Sequence, residues 1–352
     1  MNHANLRRST ALTTLALLAL AYPAPSEARR STPQSAEAPT LAPLDAELLR
    51  LTNGAAGTVG VTVVHRETGR RASLNPRVRF PMASTYKVAI AGAILDQVDA
   101  GKFTLDRMIP VPDAMIVDSD GISKDFPHAG VSLSVINLIE TMLVVSDNTA
   151  TDVLMRLAGG PAAVTAWVNK VGVTDMRIDR DTAGLVKNFT GIDVQWTKKN
   201  FEALLLTNPE LAKLEDAPNP RFDNDPRDTS TPDAMVHLLT KIHRGEALSV
   251  GSTKLLLEVM GRCVTGQNRL IAMLPPGVAL AHKTGTIGGS VNDVGIMTLP
   301  NGGGHLAIAV YIKASSDPVS SREKLIAQMA RTAFDYMQLA VAIMPHGSKT
   351  MR

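Results

Sequence analysis

Cysteine occurs once in these 352 residues, at Cys263. No internal disulfide is possible, so packing alone must hold the fold, and Cys263 itself is expected to be a small buried apolar side chain. Aromatic residues make up only 4% of the chain, and no basic run is interleaved with them. That excludes the stacking platforms and charged grooves that bind nucleic acid. The eight histidines are scattered, and the closest pair, His237 and His243, has the wrong spacing for two ligands on one helical face. A zinc site is excluded on that ground. No G-x-S-x-G occurs, so the nucleophile elbow of the α/β-hydrolases is missing as well. Beyond the N-terminus, no apolar run is long enough to cross a bilayer.

The chain begins with Arg7 and Arg8, an apolar stretch "ALTTLALLALA", and small residues at Ser26-Glu27-Ala28. Residues 1–28 therefore read as an export signal, and the protein is expected in the periplasm or secreted medium, without a membrane span after cleavage. General secretion is the expected route, with a twin-arginine signal as the alternative. The proline- and serine-rich strip to residue 44 reads as a flexible linker. About 310 residues remain, enough for a large core. Their acids and bases are mixed, with a net charge of +3 overall.

"GTVGVTVVHRETGRRASLN" alternates apolar residues about a turn at Glu67-Thr68-Gly69, which predicts a β-hairpin. Residues 80–100 read as helix. The pattern from 105 to 265 is mostly helical, including "SLSVINLIETMLVVS", "NTATDVLMRLAG" and, opened by Thr231-Pro232, "TPDAMVHLLTKIHRG". The period then changes. "VALAHKTGT", "NDVGIMTLP" and "GHLAIAVYIKAS" predict three strands, and a last helix, "REKLIAQMARTAFDYMQLAV", follows. Strands near both ends with helices between them predict an α/β (α+β) fold. One antiparallel sheet, residues 45–104 and 266–340, is flanked by helices, and an all-helical domain, 105–265, is inserted into it.

The chemistry centres on "FPMASTYKVAIAGAIL". Ser84 and Lys87 are three apart, so on a helix they share a face, and the apolar surroundings disfavour a charged amine. Lys87 can then take the proton of Ser84, and the helix N-terminus offers N–H groups to an oxyanion. The motif alone carries little, since Ser321 and Lys324 repeat the spacing. Ser146-Asp147-Asn148, between two helical segments, and Lys283-Thr284-Gly285, ending a strand, change that.

S-x-x-K, S-D-N and K-T-G in this order resemble the class A β-lactamases and, more broadly, the penicillin-recognising serine hydrolases. The resemblance runs from about residue 45 to 340 and includes "VVSDNTATDVLMRLAGGP" and "RDTSTPDAM". It implies a site in a cleft between sheet and helical domains, with no metal or organic cofactor, acting as a monomer on a small β-lactam substrate. Ser84 would be the nucleophile, Lys87 its activating partner, and Ser146 the relay to the leaving nitrogen. Asn148 would hold the substrate's side-chain carbonyl, Lys283 and Thr284 its carboxylate. The backbone N–H groups of Ser84 and Thr286 would form the oxyanion hole. Asp147 is expected to fix local backbone.

One departure stands out. In the family a glutamate two residues after an arginine drives deacylation, on a loop closed by an ion pair from that arginine to a later aspartate. Arg180 and Asp228 match the loop ends, giving an Ω-type loop over 180–228 that is longer than the family pattern. Reading forward from Arg180 gives Asp181 and Thr182. Reading backward from Asp228 gives Glu215 and Asn219 in the family's spacing, and Glu215 is the favoured base over Glu210 and Asp181, with a merely solvated acidic loop the rival reading. "DVQWTKKNFEALLLTNPEL" within the insert predicts an extra helix. Arg322 is expected on the surface, its alternative role a further cation toward the carboxylate. The expected activity is β-lactam hydrolysis through an acyl-Ser84 intermediate. The alternatives are a penicillin-binding or DD-peptidase-like relative that acylates with little turnover, and a non-catalytic β-lactam- or peptidoglycan-binding protein.

Overall fold

Alternating side-chain direction along a strand explains why the sheet strands read as nearly continuous apolar runs. In β5 (His305–Lys313) the residues Leu306, Ile308, Val310 and Ile312 face one core, while Ala307, Ala309 and Tyr311 face another. Both faces are covered. The computed structural model describes residues 41–342 apart from Pro127 and Glu215, with backbone alone at a few further positions. The export segment, most of the linker and the proposed base Glu215 therefore lie outside the described residues.

The sheet contains β1 (Thr58–His65), β2 (Arg71–Leu74), β3 (Leu280–Ile287), β4 (Ser290–Thr298) and β5, in the order β2-β1-β5-β4-β3 and antiparallel throughout. The hairpin turn, the three late strands and their union with the early hairpin are as the sequence predicts. One face packs on α1 (Ala42–Leu51) through Leu44 and Leu48, and on the long helix α8 (Val319–Ala342) through Ile326, Met329, Ala333 and Phe334. Helix α1 starts inside the strip read as linker, with a proline in its first turn.

The other face meets the helical region, whose centre is α2 (Lys87–Asp99). All nine residues from Lys87 to Leu95 are buried, so this helix is apolar around its circumference. Gly92 is needed there: a Cβ would lie 2.1 Å from the ring of Trp167, on α5 (Pro161–Lys170). Around it stand α3 (Val135–Val144), α4 (Asn148–Ala158), α6 (Pro232–His243) and α7 (Val250–Met260). Before α2 the chain departs from the expected continuous helix. Phe80–Pro81 pairs as a short strand with Thr229–Ser230, and Ala83–Tyr86 forms a 3₁₀ turn, entered with Ala83 at φ 46°. The insert carries helices Thr182–Thr190, Lys198–Thr207, Glu210–Leu214 and Pro220–Asp223, and the second of these is the extra helix expected.

Candidate active site

Ser84 lies in the 3₁₀ turn, partly exposed, and Lys87 closes that turn with its backbone N–H on Ser84 O. The Lys87 side chain is fully buried, and among the described residues its hydrogen bonds run to the S-D-N turn. Nζ donates to Ser146 O at 2.6 Å, Asn148 Oδ1 at 2.9 Å, Ser146 Oγ at 3.2 Å and Asp147 O at 3.4 Å. Ser146 takes φ 63°, a left-handed conformation that costs a non-glycine residue energy and aims its hydroxyl at the lysines. From the sheet, Lys283 Nζ donates to the same Oγ at 2.9 Å and to Thr284 O at 3.0 Å. The three motifs thus meet.

Burial pushes the Lys87 amine well below its ordinary pKa, and the charge of Lys283 adds to this against the opposing pull of Asp147 and Asp152. Burial likewise brings Lys283 down to about 8, despite Cys263 and Asp293. A neutral lysine is thereby within chemical reach near neutral pH.

Asp147 acts on backbone, as expected. It caps α4 through Ala150 N, and its other oxygen accepts from Ile122 N at 2.9 Å and Ser119 Oγ at 3.1 Å. Gly285 explains itself by proximity: a Cβ there would lie 2.6 Å from Met82 O and 3.0 Å from Ser84 N. Strand β3 therefore passes directly against the nucleophile's turn, beside the N–H groups of Ser84 and Thr286. Two supports escaped the sequence reading. Asn292 Nδ2 holds Pro81 O and Met82 O at 2.9 and 3.1 Å. Arg269, buried, donates to Thr286 Oγ1 at 2.7 Å, to Gly285 O at 3.2 Å, to Asn292 O at 3.0 Å and to Glu323 at 3.0 Å. Neither residue lies in a motif.

A sequence-family model described as the β-lactamase enzyme family matches residues 43–337. The chain belongs to the β-lactamase enzyme family. It is 30% identical to β-lactamase L2 of Stenotrophomonas maltophilia over 312 residues, 88% of this chain and 91% of that one. It is 30% identical to the extended-spectrum β-lactamase PER-1 of Pseudomonas aeruginosa over 80% of this chain and 83% of the other. The structure of an ancestral class A β-lactamase, the last common ancestor of Gram-negative bacteria, superposes with a TM-score of 0.69 at 33% identity, over 83% and 99% of the two chains.

In this β-lactamase family member an ion pair joins Arg180 to Asp228 across the long insert. Arg180 Nε donates to Asp228 Oδ2 at 2.5 Å, and Asp228 Oδ1 accepts from Asp179 N and Arg180 N at 2.7 and 3.0 Å. The clasp also reaches the nucleophile, since Met82 N donates to Asp228 O at 3.0 Å. Position 182 holds Thr182, whose Oγ1 lies 2.7 Å from Tyr86 OH. Its backbone N–H and that of Ala183 are held by the buried Asp152 carboxylate at 2.7 and 3.1 Å. Burial raises Asp152 to a pKa of about 6. Asp181 is exposed and caps the helix Thr182–Thr190, and Glu210 is exposed in the first turn of its helix. Asn219 spends its side chain on Phe189 O and on the cap of Pro220–Asp223.

Arg322 is a correction. It is 1% exposed, and its guanidinium donates to Gly288 O at 2.9 Å and Asp216 O at 3.0 Å, tying the insert to the sheet. The surface expectation fails because two backbone carbonyls, brought in from distant segments, give the cation partners that the sequence does not reveal. Over Asn148 and Thr286 a cleft of about 450 Å³ is walled by Phe189, Trp196, Phe201 and Leu214 of the insert.

Proposed function

We propose that this protein is a serine β-lactamase that opens the β-lactam amide through an acyl-Ser84 intermediate. The observation that carries the reading is the convergence of Lys87 and Lys283 on Ser146 Oγ beside the nucleophile's turn. Ser84 Oγ attacks the lactam carbonyl carbon, and neutral Lys87 receives its proton. The developing oxyanion is held by the N–H groups of Ser84 and Thr286, each worth roughly 3 to 4 kcal/mol in the transition state. As the C–N bond breaks, Ser146 Oγ gives its proton to the leaving nitrogen and is reprotonated along its bonds to the lysines. Asn148 orients the substrate's side-chain amide, while Lys283 and Thr284 receive its carboxylate. Water then attacks the ester with Glu215 as base, regenerating Ser84.

The reading includes an exported monomer in the periplasm or medium, with the sheet and helical regions as the two walls of the cleft. Among the described residues no helix is long and apolar enough to cross a membrane. The named relatives are β-lactamases, which favours turnover over a peptidase-like or binding role.

The test is a burst experiment with a chromogenic cephalosporin, paired with mass spectrometry of the protein after exposure to a slow β-lactam. Sustained turnover and a single adduct on the Ser84 peptide are expected. One stoichiometric burst would point to the peptidase-like alternative, and an adduct elsewhere would refute the assignment of Ser84.

A further inference from the structure

In a chain poor in aromatic residues, the insert between Arg180 and Asp228 gathers Phe189, Trp196, Phe201 and Phe222. The insert is the part of the loop that exceeds the family pattern. Three of its rings, with Leu214, wall the cleft of about 450 Å³ that Asn148 and Thr286 also line. A cleft of this size takes a drug-sized group, and its aromatic and aliphatic walls favour an apolar one. A β-lactam whose side-chain amide rests on Asn148 has the remainder of that side chain at the entrance to this space.

The wall is anchored at two ends. Near the S-D-N helix, Trp196 O accepts from Asp118 N at 2.6 Å, and the neighbouring Val117 exchanges two hydrogen bonds with Thr149 Oγ1, at 2.9 and 3.1 Å. Near the sheet, Phe189 lies against the turn after β3, where a Cβ on Gly288 would come within 2.7 Å of its ring. Asn219 Nδ2 holds Phe189 O at 2.9 Å, and the Phe222 ring meets that of Phe189 edge-on, 5.2 Å between centroids. The rings of Trp196 and Phe201 stand 6.1 Å apart. The charges are one-sided. Among the described residues the only charged side chains lining the cleft are the carboxylates of Asp118 and Asp216. Arg322, whose guanidinium is taken up by Gly288 O and Asp216 O, does not line it.

We infer that the insert builds the binding site for the acyl side chain of the β-lactam, and that this site selects an aromatic side chain bearing a positive charge over an anionic one. Trp196 and Phe201 read the ring, and Asp118 and Asp216 read the charge. The inference deepens the β-lactamase reading and rests on it. Aromatic walls favour an aromatic occupant through edge and face contacts beyond the area buried. The two carboxylates attract a cation and repel an anion that enters between apolar walls. The lactam's own carboxylate goes to Lys283 and Thr284, so the site accepts an anion at the K-T-G strand and rejects one at the insert.

The probes are four penicillins that differ only in the side chain: acetyl, phenylacetyl, 4-(aminomethyl)phenylacetyl and 4-carboxyphenylacetyl. In the native protein kcat/KM for the phenylacetyl compound should exceed that for the acetyl compound about tenfold or more, as burial of a ring implies. The aminomethyl compound should exceed the carboxy compound roughly tenfold, the effect of two partly screened carboxylates. Each ratio is taken within one protein, so general damage to catalysis cancels. Phe201→Ala should cut the first ratio by roughly threefold or more, and Phe201→Tyr should restore most of it. Asp118→Asn combined with Asp216→Asn should bring the second ratio to within about twofold of unity. A first ratio unchanged in Phe201→Ala overturns the ring site, and a second ratio unchanged in the double variant overturns the charge selection. A protein that neither hydrolyses nor is acylated by any of the four would sink the β-lactamase reading. Calorimetric Kd values for the same series would then decide the cleft, which falls if phenylacetyl binds no tighter than acetyl.

Discussion

Lys87 and Lys283 present their Nζ atoms to one hydroxyl, Ser146 Oγ, at 3.2 and 2.9 Å. They arrive from different parts of the fold, the first turn of the buried helix and an edge strand of the sheet. Two amines this close in a buried site disfavour double protonation, so one neutral and one charged lysine is the economical state. That is also the pair the chemistry needs, a base for Ser84 and a cation for a carboxylate.

A pH dependence follows from the sign of these shifts. Lys283, brought down to about 8, is charged below that value and loses its charge as pH rises through it. For an anionic β-lactam, kcat/KM should fall above pH 8, chiefly through KM, and Lys283→Arg should move that limb to higher pH. The pH profile of kcat/KM checks it; a limb unchanged by the substitution would remove Lys283 from carboxylate binding.

Gly285→Ala should cripple acylation. The new Cβ would meet Met82 O at 2.6 Å, a backbone atom that cannot swing aside. Displacing the nucleophile's turn by about 1 Å costs on the order of 10² in rate. Single-turnover acylation with a chromogenic cephalosporin measures this, and a loss below threefold would contradict the close approach of β3.

The clasp offers a stability test. Arg180 and Asp228 are both nearly buried, so Arg180→Ala leaves a carboxylate without its partner, at a cost of roughly 3 to 5 kcal/mol. The expected result is a lower denaturation midpoint and faster proteolysis within residues 181–227. Unchanged proteolysis would mean that the insert's own helices hold it in place.

Glu215→Gln keeps the shape and removes the base, so acylation should persist while deacylation slows by on the order of 10² or more. Rapid-quench mass spectrometry would show the acyl-enzyme accumulating. If Glu215→Gln turns over normally and a change at Asp181 or Glu210 traps the intermediate instead, the backward register is wrong.

The strands, most helices and all three motifs were legible because each is a local pattern: period two around Gly69, apolar runs ending in turns, serine and lysine one helical turn apart. The 3₁₀ turn at Ala83 was not, since its φ of 46° is imposed by tertiary contacts and Ala carries no sign of it. Asn292 and Arg269 were invisible for a related reason. Their partners are mostly backbone carbonyls of segments that meet only in the fold, and no spacing rule encodes such a meeting. Arg322 was misplaced by the same blindness. Cys263 is buried, as its reading as a small apolar side chain expects.

The Arg180–Asp228 clasp has a consequence for how such a chain can change. Its partners are 48 positions apart in sequence yet adjacent in space, and the Asp228 carbonyl holds Met82 N at the entry to the nucleophile's turn. Everything between them is an excursion whose two ends are fixed, and lengthening it costs only a slowly growing entropy. The excursion can be exchanged as a cassette, its aromatic wall redrawn for another substrate, while the catalytic register stays fixed.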